Sequence, residues 1–195
     1  MTRTRTAPQV ATAEEAVRAL LQHVGEDPYR EGLKDTPGRY VRALTELTSG
    51  YSDDPETLLG KRFDKGRYDQ VVLLSGAEYT SLCEHHLMPF SGTADIAYLP
   101  GQDGRIVGLS KLARLLHCYA RRLQVQERMT QQIGEALTKH LGAQGVAVIV
   151  SGHHHCMSSR GVRCRGTFIT SYNAGVYRDD PAARAEVLSL LARHR

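Results

Sequence analysis

Two short stretches hold most of the residues able to do chemistry. Residues 81–90 read SLCEHHLMPF and residues 153–156 read HHHC. Cys83 and His86 form a C-x-x-H pair, whose gap lets both side chains turn onto one ion if the segment bends. Pro89, close behind, favours such an irregular end. His154 and Cys156 stand two apart, so on a strand they share a face while His155 turns away. Two thiolates and one imidazole make a zinc site with an open fourth position, as catalytic rather than structural zinc has. The plainer alternatives are a disulfide, or buried small thiols with polar neighbours, and spacing alone leaves them open.

His85 and His154 are then left as non-ligands beside the same ion. Zinc brings the pKa of bound water to about 7, and an imidazole of similar pKa can move the protons. His153 and His155 read as solvent-exposed filler.

A second constellation is GLSKLAR at 108–114. Ser110 can cap a helix, while Lys111 and Arg114 lie three apart and share a face. A hydroxyl, a lysine and an arginine at a helix start suit a polyphosphate, although basic residues on a helix are usually just its solvated face. Arg160, following the second cysteine motif, adds to the phosphate reading. In QVQER at 124–128, Gln126 and Glu127 open another helix. A carboxylate there is favoured by the helix dipole, or it accepts the paired N–H donors of a guanine edge; spacing does not choose.

The elements that must position these residues follow from periodicity. Thr12 with Glu15 is a capping box, and Val17, Leu20, Leu21 and Val24 continue at helical spacing to about residue 24. Thr36 as N-cap with Pro37 behind it predicts a second helix to about Leu47, making a helical hairpin. From Tyr68, YDQVVLLSGAEYTSLC and SGTADIAYLP read as strands. Leu112, Leu115, Leu116 and Tyr119 form one helical stripe, and Val125, Met129, Ile133 and Leu137 another. GVAVIVSGHHHC and GTFITSY read as two more strands, before a last helix over about 181–193. The order ββααββ predicts an α+β fold with a four-stranded antiparallel sheet and two helices on one face. The boundaries expected are a flexible tail at 1–11, a helical region at 12–60 and a catalytic domain at 61–195.

The 195-residue chain is 41% hydrophobic and 24% charged with a net charge of +4, which are globular values. The N-terminus lacks the apolar stretch of a secretory signal, and VAVIV at 146–150 is too short to span a bilayer. The expectation is therefore a cytoplasmic protein with reduced thiols and no membrane partner. Aromatics are 6% with no tryptophan, which disfavours a nucleic-acid module. No P-loop or dinucleotide-binding glycine motif is present.

Taken together, CEHHLMPF, VGLSKLAR, RRLQVQERMTQQI and HHHCMSSRGV resemble the motifs of the GTP cyclohydrolase I family, in the same order, over roughly residues 12–193. The resemblance implies conversion of GTP and water to 7,8-dihydroneopterin triphosphate and formate, the first step toward folate and tetrahydrobiopterin, by zinc-activated water attacking guanine C8. It implies a tunnelling fold whose sheets close into a barrel only on oligomerisation, in a homodecamer with active sites at subunit boundaries. Position by position, Cys83, His86 and Cys156 match zinc ligands, and His85 and His154 match catalytic histidines. Ser110, Lys111, Arg114 and Arg160 match positions holding ribose and triphosphate, with Ser110 also placed to assist proton transfer. Glu127 matches the guanine anchor with Gln126 beside it, and Arg39 a phosphate arginine from a neighbouring subunit. His153 and Cys164 match nothing in that pattern. The alternatives are another tunnelling-fold pterin or deazapurine enzyme, or a non-catalytic zinc module.

Overall fold

The structure is a computed structural model that describes residues 12–63 and 67–192; the expected tail at 1–11 lies outside them. Two compact units meet between Glu46 and Leu47. In the first, α1 (Ala13–His23) starts on the predicted capping box, Thr12 N–H donating to Glu15 Oε2 (2.7 Å) and Glu15 N–H to Thr12 Oγ1 (3.3 Å). α2 (Thr36–Leu47) follows at the Thr-Pro signal. A Cβ on Gly38 would stand 3.4 Å from Glu14 Oε1, so the start of α2 lies against the start of α1.

The second unit opens with a 3₁₀ turn (Ser49–Ser52), α3 (Pro55–Gly60) and a two-residue strand, β1 (Arg62–Phe63). The turn is fastened within this unit: Gly50 N–H donates to Arg121 O (3.0 Å), and Arg122 Nε donates to Gly50 O (3.1 Å). Then come β2 (Val72–Cys83), β3 (Pro89–Leu99), β4 (Ile106–Val107), α4 (Leu109–Ala120), β5 (Leu123–Gln124), α5 (Gln126–Leu141) and β6 (Gly145–His154). The short α6 (His155–Ser158), β7 (Phe168–Gly175), α7 (Val176–Asp179) and α8 (Pro181–Ala192) complete the order.

β2, β3, β6 and β7 pair antiparallel in that order, the four strands and the α+β plan expected. The sheet differs by one addition. β5 pairs parallel to the end of β2, Leu82 opposite Leu123 and Cys83 opposite Gln124, so the main sheet has five strands. A stretch of two residues between two helices carries no periodic signal, which is why it does not show in the sequence.

Alternation decides the two faces. Phe90, Ile96 and Tyr98 on β3 and Val146, Val148 and Val150 on β6 point to one side, all fully buried. Leu112, Leu115 and Leu116 of α4, with Met129, Ile133 and Leu137 of α5, cover them. Val125, read as the start of that second stripe, is instead the N-cap of α5. On the opposite side, Ala97 and Ala147 pack with Tyr177, Val187 and Leu191 from α7 and α8.

One irregularity bends β2. Its register with β3 shifts between Leu74 and Ala77, where Gly76 has φ +66. The buried Asp95 takes up the freed donors, accepting from Ser75 Oγ (2.7 Å) and Gly76 N–H (2.8 Å).

Candidate active site

The site lies where β2 and β6 end level on either side of β3. Leu82 stands opposite Pro89 and Phe90 opposite His154, so the register delivers Cys83 and His154 to the same end of the sheet. After Cys83 the chain turns tightly: Cys83 N–H donates to Met88 O (2.8 Å), Leu87 N–H donates back to Cys83 O (2.8 Å), and Leu87 sits at φ 54. That turn swings His86 back over Cys83. Cys83, His86 and Cys156 each offer a ligand atom, and all three atoms lie within 4.8 Å of one another. A Cys₂His set at this spacing fits zinc, and three protein ligands leave a fourth position free.

Cys156 reaches this point by a different route from the one expected. β6 ends at His154, and α6 begins at His155, so Cys156 comes in from a helical turn rather than from the face His154 occupies. Burial, and next the nearby Cys83 thiol, push the Cys156 thiol above its ordinary value. A cation bound there would favour the thiolate form of its cysteine ligands.

Beside the three ligands is a hollow of about 240 Å³ whose lining includes Cys83, His85, Gln126, Glu127, His154 and Cys156. His85 Nδ1 is 3.9 Å from Cys83 Sγ, and the ring is otherwise exposed. His154 is held firmly. It stacks flat on Phe90 (centroids 4.5 Å apart, 5° between planes) and meets the edge of Phe168 (5.2 Å, 68°). Its Nε2 lies 2.9 Å from Gln126 Oε1. Burial lowers the pKa of His154, with the Glu127 carboxylate pulling partly back. A neutral imidazole can accept a proton as well as pass one on.

Arg160 stands over the ligand group, NH1 donating to Cys156 O (3.2 Å) and lying 3.4 Å from His86 Nε2. Ser110, Lys111 and Arg114 occupy the first turns of α4 but line none of this hollow. Ser110 is not the cap that the sequence suggests. The cap is Gly108, in extended conformation, and Lys111 N–H donates to Gly108 O (2.8 Å), so the helix starts before Ser110. Arg39 belongs to the first unit, where its NH2 donates to Asp35 Oδ2 (3.3 Å). His153 Nδ1 donates to Gly166 O (3.3 Å), and Cys164 is an exposed free thiol.

Two supports escaped the sequence reading. One is Phe90, whose stacking on His154 is visible only once β3 and β6 are in register. The other is Arg128, which donates to Glu84 Oε2, to Gln124 Oε1 (3.0 Å) and to Leu123 O (3.1 Å). Through Glu84 it fastens the ligand-bearing turn to α5. Its spacing of four from Gln124 was the available signal.

A hollow flanked by three residues that could hold a metal ion, with a carboxylate and two further imidazoles at hand, has the make-up of an enzyme site on an α+β fold. The family model for GTP cyclohydrolase I matches residues 13–192. GTP cyclohydrolase 1 of Mycobacteroides abscessus is 51% identical over 184 residues, covering 94% of this chain and 90% of that one. GTP cyclohydrolase 1 of Streptomyces griseus is 53% identical over 180 residues, with 92% and 89% covered. Among solved structures, a dihydroneopterin aldolase from Burkholderia thailendensis aligns at 11% identity and a TM-score of 0.39, over 54% of this chain and 90% of that one, too slight a likeness to argue from. The chain belongs to the GTP cyclohydrolase I family.

Proposed function

We propose that the chain hydrolyses GTP to 7,8-dihydroneopterin triphosphate and formate, the first step toward folate and tetrahydrobiopterin. The observation that carries this reading is the convergence of Cys83, His86 and Cys156 beside a hollow that also holds Glu127 and His154. These three would hold a zinc ion, which when bound supplies the Lewis acid that makes water a nucleophile near neutral pH.

The remaining roles fall to side chains. Glu127 accepts the N1–H and 2-amino hydrogens of guanine, a paired contact that a carboxylate makes and an amide cannot. His154 takes a proton from the water that adds at C8 and passes it to N7 as the ring opens; a second hydration releases formate. His85, with Ser110, assists the proton transfers that open the ribose before the pterin ring closes.

The hollow of about 240 Å³ is smaller than the roughly 300–1,000 Å³ that encloses a drug-sized ligand. It suits the base alone, so ribose and triphosphate extend outward past Arg160. Ser110, Lys111 and Arg114 lie away from this lining, which supports their being supplied, with Arg39, by neighbouring copies in a decamer of the tunnelling-fold kind. A sheet with two open ends has edges that such an assembly would pair. Thiolate ligands suit the reducing cytoplasm.

The test is incubation with GTP, following formate and the pterin chromophore. Stripping the metal should stop both, and zinc should restore both. A zinc-loaded enzyme that releases no formate would refute the reading.

A further inference from the structure

Gln126 opens α5 and is only 2% exposed. Its Nε2 donates toward Val150 O (3.0 Å), Phe168 O (3.1 Å) and Thr170 Oγ1 (3.1 Å). Val150 O and Phe168 O are backbone carbonyls, which only accept, so the carboxamide must turn its NH₂ toward them. Oε1 is thereby aimed at His154 Nε2, 2.9 Å away. An amide oxygen cannot donate, so the hydrogen in that bond belongs to His154.

Two threonines fix the same orientation again. Thr130 Oγ1 donates to Gln126 O (2.8 Å). Its proton is thus spent, and the 2.7 Å contact between Thr130 and Thr170 is donated by Thr170. Thr170 Oγ1 is then left to accept from Gln126 Nε2. Hydrogens run one way around this ring, from the Gln126 amide to Thr170, to Thr130 and back to the Gln126 carbonyl. Turning the amide over would set Oε1 against two carbonyl oxygens. Gly152 leaves the room: a Cβ there would stand 2.4 Å from Gln126 Oε1.

We propose that Gln126 is a positioning residue that fixes a hydrogen on His154 Nε2, leaving Nδ1 as the nitrogen that exchanges protons with substrate. This rests on the reading above, in which His154 moves a proton at the purine. It departs from a guanine-contacting role for Gln126, because both amide hydrogens are already committed to protein acceptors.

The test uses zinc-loaded enzyme with ¹⁵N-labelled histidine. A long-range ¹H–¹⁵N spectrum, with the His154 signals assigned by their loss in His154→Gln, should show Nε2 protonated and Nδ1 bare. Gln126→Met removes the acceptor at nearly constant length. It should mix the two tautomers and lower kcat on the order of 100-fold, with KM for GTP within about twofold of wild type. A hydrogen on Nδ1 in the wild type would overturn the proposal, and so would a raised KM with unchanged kcat. The wild-type spectrum answers even if Gln126→Met fails to fold. It also needs no turnover, so a wild type inactive on GTP overturns the functional reading and an Nδ1–H signal overturns the tautomer.

Discussion

His154 and Cys156 are two residues apart and meet the hollow in different ways, one as a clamped ring and one as a thiol grouped with Cys83 and His86. Replacing His154 with alanine should therefore abolish formate release while elemental analysis still finds about the wild-type content of zinc. Loss of zinc in that variant would make His154 a ligand instead. Glu84 gives a second prediction. The hydrogen bond from Arg128 holds its carboxyl below the ordinary value of 4.5. A carboxyl depressed by folding adds stability above its ordinary value, and that stability is lost as pH falls through the lowered one. Arg128→Met should flatten this part of the acid dependence in denaturant melts read between about pH 5 and 3. At this scale the three donors that the structure brings together were legible, because C-x-x-H and H-x-C name them. The Gln126 contact was not, since the carbonyls that orient the amide come from β6 and β7.

Elements set the site through register. β3 lies between β2, which ends in Cys83, and β6, which leads into Cys156, and Gly92 sits close against β6. A Cβ there would fall 1.9 Å from Ser151 O, a backbone atom that cannot step aside. Gly92→Ala should destabilise the protein by about 3 kcal/mol or more, read as a lowered denaturant midpoint, because the strands must part to admit the methyl. The helices and long strands were readable from period alone. The failures were short: α6, β5 and the first turn of α4. Each spans too few residues for a pattern: β5 is decided by its pairing with β2, and the start of α4 by the local bond from Lys111 N–H to Gly108 O. The consequence for the site was that Cys156, expected on a strand, stands on α6.

At the scale of the whole molecule, β7 ends the sheet and shows apolar side chains, Phe168 at 43% and Ile169 at 61% exposure. An edge of that kind invites another strand. Ile169→Lys should therefore shift the enzyme toward smaller species in light scattering and lower its activity in parallel, if neighbouring copies supply Ser110, Lys111 and Arg114. An unchanged mass would move the contact elsewhere. The expectation that whole subunits pair came from the family resemblance and not from any local pattern.

Because Cys83 ends β2 and Cys156 follows closely on β6, the three candidate ligands meet only when both ladders flanking β3 are correctly aligned. A one-step slip of β6 would turn His154 to the opposite surface and carry Cys156 off with it. If these three residues hold zinc, its retention would report on the register of the sheet. Chains that misalign during synthesis would forfeit the ion, and a chelating dye would pick them out before any assay of turnover.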